Sequence, residues 1–184
     1  RKMTTRKDGN VKVQEKEEVL RIENLHTYFY SREGVVKAVN GVNLSVKANR
    51  ILGIVGESGS GKSVTMLSLL RLIPYPGKIV QGGVYFEDMD LLEIDTEEML
   101  RVRGRAISMI FQDPRGSLNP IETIGTQISE ILLAHSMMSI SEATDRTMEL
   151  LKEMGLPEHI FKRYPFEVSG GQAQRAMIAM ATAW

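Results

Sequence analysis

No part of the 184 residues constrains the fold as tightly as Gly56-Glu57-Ser58-Gly59-Ser60-Gly61-Lys62-Ser63, which directly follows the apolar run Ile51 to Val55. That run is β-branched and apolar on both faces, which predicts a strand buried within a sheet. After the loop, Val64, Leu67, Leu70 and Ile73 recur down one side, predicting a helix from Lys62 to Leu72 that Pro74 and Pro76-Gly77 end. The loop fits G-x-x-x-x-G-K-[ST] without departure. Backbone N–H groups converge on a concentrated negative charge only where the chain turns tightly, and glycine permits those dihedrals. The following helix turns its positive end towards the same anion. Lys62 would reach β and γ phosphates as a point charge, and Ser63 would offer a hard oxygen to Mg²⁺. The plain alternative is a flexible Gly/Ser turn. The four fixed positions coincide by chance in on the order of one chain in a hundred of this length, and here the flanking strand and helix patterns are also present.

The rest of the chain falls into three parts. Residues 1–18 are polar and charged with almost nothing to bury, which predicts a loose tail. From Val19 the alternation is strand-like, slips near Asn24 and resumes at Leu25, Thr27 and Phe29. Ser31 to Gly34 reads as a turn, and Val42, Leu44 and Val46 predict a second, antiparallel strand with one wet face. Gly82 to Glu87 reads as a short strand and Ala106 to Phe111 as another, largely apolar one. Asp95 with Glu98, and Ser139 with Glu142, have the spacing of capping boxes. Helical spacing recurs at Ile124, Ile128, Ile131 and Leu132, then at Ala143, Thr147, Leu150, Leu151 and Met154 up to Gly155, and again after Gly171. The expected class is therefore mixed α/β with a helical insert.

Composition excludes more than it suggests. The formal net charge is zero, so no global basic field draws nucleic acid, and no nucleic-acid partner is expected. The chain has no cysteine, which excludes disulfide scaffolds and thiolate zinc sites and fits a reducing cytosol. No apolar run of membrane-spanning length occurs.

Two further landmarks carry chemistry. Gln112 follows the Ala106–Phe111 run and precedes Asp113-Pro114; it can hold a metal or a metal-bound water, or be a simple turn residue. Ser169-Gly170-Gly171-Gln172 opens a helix and leaves several N–H donors free, again an anion site, although alone an ordinary Ser or Gly helix cap is the more frequent explanation. One nucleotide does not need two phosphate-competent helix starts over a hundred residues apart. Two copies arranged head to tail could lay the second start of one over the nucleotide held by the other.

In this order and spacing, Gly56–Ser63, Gln112 and Ser169–Gln172 resemble the nucleotide-binding domain of an ABC transporter ATPase. The segment FQDPRGSLNP (Phe111 to Pro120), with GESGSGKS and VKAVNGVNLSV, is similar to the ATP-binding subunits of oligopeptide and dipeptide importers, a group that includes nickel importers. The resemblance covers about residues 19 to 184. It implies an α/β P-loop nucleotide-binding domain of ABC type, with an antiparallel β subdomain, part of a parallel core sheet and an α-helical subdomain at about 118–168. It implies ATP and Mg²⁺ as cofactors. Gly56, Glu57, Ser58, Gly59, Ser60, Gly61, Lys62, Ser63 and Val64 would form the Walker A site, with Lys62 and Gln112 catalytic and Ser63 and Gln112 at the metal. Ser169, Gly170, Gly171 and Gln172 would be the signature motif, binding the γ-phosphate across a dimer. An aromatic near the end of the first strand would stack on adenine, Phe29 by position with Tyr28 and Tyr30 as rivals. The implied partners are a second ATPase subunit, transmembrane permeases that the helical subdomain docks on, and indirectly a substrate-binding protein, all at the cytoplasmic face of the cell membrane.

The departures are also informative. Ala173 stands where the family usually has a basic residue, while Arg175 fits. The chain stops at Trp184, before the family's Walker B aspartate, catalytic glutamate, D-loop and switch histidine. The expectation is a core lacking its C-terminal part, able to bind nucleotide and not to turn it over. Three alternatives stand beside the importer: an ABC ATPase of DNA repair or chromosome organisation, a small-molecule kinase on the same loop, and an inactive fragment that only binds nucleotide. The first needs a coiled-coil or zinc insertion between Gln112 and Ser169, for which 56 cysteine-free residues leave little room; the second gives Ser169–Gln172 no role.

Overall fold

The computed structural model describes residues 18–184, which form two compact units, one ending at Met99 and the other beginning at Leu100. The tail expected over residues 1–18 lies outside the described residues, save for Glu18, which opens the first strand.

The first unit is built on a four-stranded antiparallel sheet in the order β2-β1-β3-β4. Its strands are β1 (Glu18–Ser31), β2 (Gly34–Lys47), β3 (Gly77–Phe86) and β4 (Met89–Asp90). The slip in alternation at Asn24 has a physical counterpart. The β1–β2 register shifts between Ile22 and Leu25, and Asn24 adopts a positive φ of 45°. This bulge lets Ile22 and Leu25, three apart, both reach the core. Beyond it, Leu25 and Thr27 are fully buried while His26 and Tyr28 share the opposite face, where Tyr28 pairs with Lys37 and Lys78 on its two neighbours. Helix α1 (Lys62–Leu69) packs on β1 and β2. Its Ser68 hydroxyl meets the buried Thr27 hydroxyl at 2.8 Å and donates to the Val64 carbonyl, so neither polar group is stranded in the core.

The second unit is helical. It contains α3 (Pro114–Ser117), α4 (Ile124–His135), α5 (Ile140–Glu153) and α6 (Gly170–Ala181), with 3-10 turns at Glu158–Lys162 and Pro165–Glu167. Helix α2 (Thr96–Val102) runs across the boundary between the units, and Asp95 caps it by accepting from the Glu98 N–H. The core joins Ile124, Ile128 and Leu132 of α4, Leu150 and Leu151 of α5, and Ala173, Ala176 and Ala179 of α6. The Ser139–Glu142 capping box forms in both directions, with Ser139 N–H donating to Glu142 at 2.7 Å and Glu142 N–H to Ser139 at 3.3 Å. Gly155 follows α5 in the left-handed region, φ 64°, where a glycine costs least.

Two expected strands are not strands. Residues 51–55 form no strand and pair with no described residue, with Ile51 fully exposed and Val55 97% exposed. Residues 106–111 make a single isolated bridge, Arg103 with Ile107. A strand exists only through its ladder, and among the described residues neither apolar run joins one. The apolar pattern marks what these segments can pair with, and pairing is a non-local property.

Candidate phosphate-binding site

The glycine loop is shaped by its own backbone. Gly61, the residue before α1, has φ 92°, and a Cβ there would stand 2.3 Å from the Ala38 carbonyl oxygen of β2. Only glycine allows the loop to sit this close to the sheet. Gly59 is also left-handed, φ 81°, but faces open space. The Lys62 ammonium folds back into the loop and donates to the Gly56 carbonyl at 2.6 Å, the Glu57 carbonyl at 2.7 Å and the Ser60 hydroxyl at 3.2 Å. The Ser60 N–H closes the turn onto the Glu57 carbonyl. Thr65 then seals the helix entry, its N–H and its hydroxyl both donating to the Gly61 carbonyl. No side chain caps α1 and no acidic residue lies in its first turn, so the positive end of the helix is not neutralised locally. Glu57, Ser58 and Ser63 are exposed, and Val64 is half-buried. The loop is a ring of backbone around one ammonium, open to solvent.

Phe29 lies on the core-facing side of β1, half-buried, opposite Val36 of β2 and Gly77 of β3. A Cβ at Gly77 would collide with both its ring and Ile73, so the ring covers the glycine. Tyr28 points the other way into a hydrogen-bonded group with His26 and Asn40, and Tyr30 is exposed.

In the second unit Gln112 is exposed at the start of a short turn. Asp113 caps α3, accepting from the Gly116 N–H at 3.1 Å, and Pro114 fills the first helical position. On either side of Gln112 the chain is tied to α6 or to the residue just before its N-cap. The Phe111 N–H donates to the Met177 sulfur at 3.3 Å, and Arg115 donates to the Val168 carbonyl. The Ser169–Gln172 start forms a reciprocal capping box, Ser169 N–H to Gln172 at 2.8 Å and Gln172 N–H to Ser169 at 3.2 Å. A Cβ at Gly170 or Gly171 meets nothing within 4 Å, so nothing inside the chain requires glycine at either position. Ala173 is fully buried in the helical core, where a basic side chain could not stay. Arg175 reaches back from α6 to the α5 C-terminus, donating to the Gly155 carbonyl at 3.0 Å. Just upstream, the Tyr164 N–H and then the Arg163 guanidinium hold the Glu167 carboxyl below its usual value.

Thr65, Ala38 and Arg115 did not come out of the sequence. Asp113-Pro114 is a legible cap signal for α3; the Ala38 and Arg115 contacts are long-range and leave no local trace.

A glycine loop wrapped round a lysine at an uncapped helix start is the arrangement of the P-loop motif. Residues 39–183 match the ABC transporter family model, and the chain belongs to that family. It is 49% identical over 168 residues to the probable peptide ABC transporter ATP-binding protein y4tR of Sinorhizobium fredii, covering 90% of this chain and 50% of that protein. It is 44% identical over 166 residues to the oligopeptide transport ATP-binding protein AppD of Bacillus subtilis, covering 89% and 51%. The dimeric, post-hydrolysis ATP-binding cassette MJ0796, bound to ADP and Pi, superimposes with a TM-score of 0.79 at 30% identity, covering 89% of this chain and 69% of that one. The resemblance drawn from the motifs and the α/β cassette fold are thereby borne out. The chain spans about half the length of the curated relatives it matches.

Proposed function

We propose that this chain is the nucleotide-binding part of an ATP-binding subunit that powers a peptide-type importer through ATP binding and hydrolysis between two such subunits. The observation that carries it is Lys62. An ammonium gathered onto the carbonyls of its own loop, at a helix start with no cap, is a cationic centre suited to an anion. A polyphosphate would take the ammonium from those carbonyls and receive the amides of Gly59 to Val64.

Mg²⁺ is implied by the family, and the donors present suit it. Among the described residues no group of three or more acidic or histidine side chains could hold a metal by itself. The Ser63 hydroxyl and the Gln112 amide oxygen are hard, neutral donors. That matches an ion that keeps its waters and takes phosphate oxygens for the rest. Ser63 and Gln112 would hold Mg²⁺, which would supply charge neutralisation of the phosphates. The reaction is in-line attack of water on the γ-phosphorus, releasing ADP and phosphate. In it, Lys62 and the loop amides hold the phosphates, Gln112 orients the water, and Ser169, Gly170 and Gly171 of a second copy close over the γ-phosphate. Phe29 stacks on adenine. Residues 19–184 form part of one ABC-type ATPase domain. The helical subdomain at about 118–168 docks on permeases at the cytoplasmic face of the membrane. Exposed apolar side chains there, Ile121 at 80% and Phe166 at 73% and stacked on Tyr164, support that docking role. Peptide as cargo rests on the names of the relatives.

The test is titration calorimetry of the chain with Mg-ATP. Saturable binding that Lys62→Ala abolishes is the expected result. No heat with the wild-type chain, or equal binding by Lys62→Ala, would overturn the reading.

A further inference from the structure

Val168 is only 2% exposed, and its carbonyl accepts from Nη2 of Arg115. Across the same peptide link, the Ser169 N–H donates to Oε1 of Gln172 at 2.8 Å. A peptide unit is planar and turns as one rigid plate. With its oxygen held at one edge and its N–H at the other, this plate cannot rotate without breaking a bond. The next two residues, Gly170 and Gly171, have no side chains, and the space a Cβ would take is empty. The direction of the first amides of α6 is therefore fixed from behind, by the Val168–Ser169 plate.

Arg115 is the second residue of α3 and lies three residues beyond Gln112. Helix α3 is anchored at Asp113, whose carboxylate accepts from Gly116 and whose carbonyl accepts from the Ser117 hydroxyl at 2.6 Å. The Phe111 N–H, on the other side of Gln112, is tied to Met177 in the body of α6. Gln112 thus sits in a bracket with one foot on α6 and the other on the plate that aims its start.

We propose that Arg115 is a positioning residue: it locks the Val168–Ser169 peptide, and through α3 it makes the aim of the Ser169–Gln172 amides depend on where the Gln112 segment stands. This rests on reading Ser169–Gln172 as the phosphate-binding signature. A contact that shifts Gln112 moves α3, and α3 moves the guanidinium that holds the plate.

The experiment is residue-resolved amide hydrogen exchange on the full chain. Arg115→Met keeps the length and loses the donors; Arg115→Lys keeps one. The Ser169 and Gln172 amides should exchange about tenfold faster in Arg115→Met, the change that loss of one hydrogen bond to a buried carbonyl gives. Arg115→Lys should recover much of that protection, while Leu150 and Leu151 of α5 stay as in the wild type. Asp113→Ala, which loosens α3, should also speed exchange at Ser169 in the Arg115 background and add little in Arg115→Met. The proposal fails if Arg115→Met leaves Ser169 and Gln172 unchanged, if α5 loosens equally, if lysine rescues nothing, or if the Asp113 and Arg115 effects simply add. Failure of the unmodified chain to bind Mg-ATP would defeat the proposed function and leave the exchange comparison intact.

Discussion

Gly61→Ala is the most direct test of how the loop is built. Two costs add at this position. The first is conformational: an L side chain at φ 92° lies in the left-handed region, a penalty of roughly 1–2 kcal/mol. The second is steric. The new Cβ would lie 2.3 Å from the Ala38 carbonyl oxygen, a backbone atom of β2 at the register shift between its pairs with Thr27 and Tyr28. Relieving it means moving the loop off the sheet or bending β2, at roughly 1–3 kcal/mol by the usual cost of overpacking. The sum is about 2–5 kcal/mol. Gly59→Ala is the internal control, since φ is 81° and its Cβ meets nothing within 4 Å; only the conformational part applies, roughly 1–2 kcal/mol. Urea unfolding followed by far-UV circular dichroism reads the difference. With slopes of about 1–3 kcal/mol/M, Gly61→Ala should lie below Gly59→Ala by several tenths of a molar or more in midpoint. Equal midpoints for the two variants would show that the close approach to Ala38 does not hold the loop.

Other predictions follow from the same geometry. Gly170→Ala and Gly171→Ala should leave stability unchanged or raise it by up to about 1 kcal/mol in urea midpoints, because alanine favours helix and has room; destabilisation would mean these glycines serve the fold. Ser68→Ala should cost about 1–3 kcal/mol and more than Thr27→Val, since it strands the fully buried Thr27 hydroxyl whereas Ser68 keeps its bond to Val64; the reverse order in chemical denaturation would refute the pairing. The Glu142 and Glu167 carboxyls are both held below the ordinary value of 4.5, chiefly by the Ser139 and Tyr164 N–H groups. Their contribution is therefore present above the unfolded carboxylate range and lost as pH falls through the lowered folded values. Thermal midpoints should drop on acidification below about pH 4.5 in the wild type, and less steeply in Glu142→Gln and Glu167→Gln; identical slopes would count against those caps.

Much of the site was legible because its parts are local. The loop from Gly56 to Ser63 specifies its own turn, Ser139 and Ser169 each find their partner three residues on, and Asn24 announces its bulge by breaking an alternation. Other parts were not. Whether Phe29 faces the core or solvent depends on which strands flank it, and Gly77 beneath its ring is 48 residues away. The α3 turn carried a cap signal at Asp113-Pro114, but its bond from Arg115 to Val168 spans 53 residues and cannot be read from either segment.

The sequence by itself determined where helices start, where the backbone must turn left-handed, and which residues can face an anion, since each depends on neighbours a few positions away. Only the tertiary structure decided that, among the described residues, 51–55 and 106–111 join no ladder, that Gly61 presses on Ala38, and that Arg115 holds the peptide before Ser169. Ladders and long-range contacts belong to pairs of segments, and one segment's pattern states its capacity to pair without naming the partner.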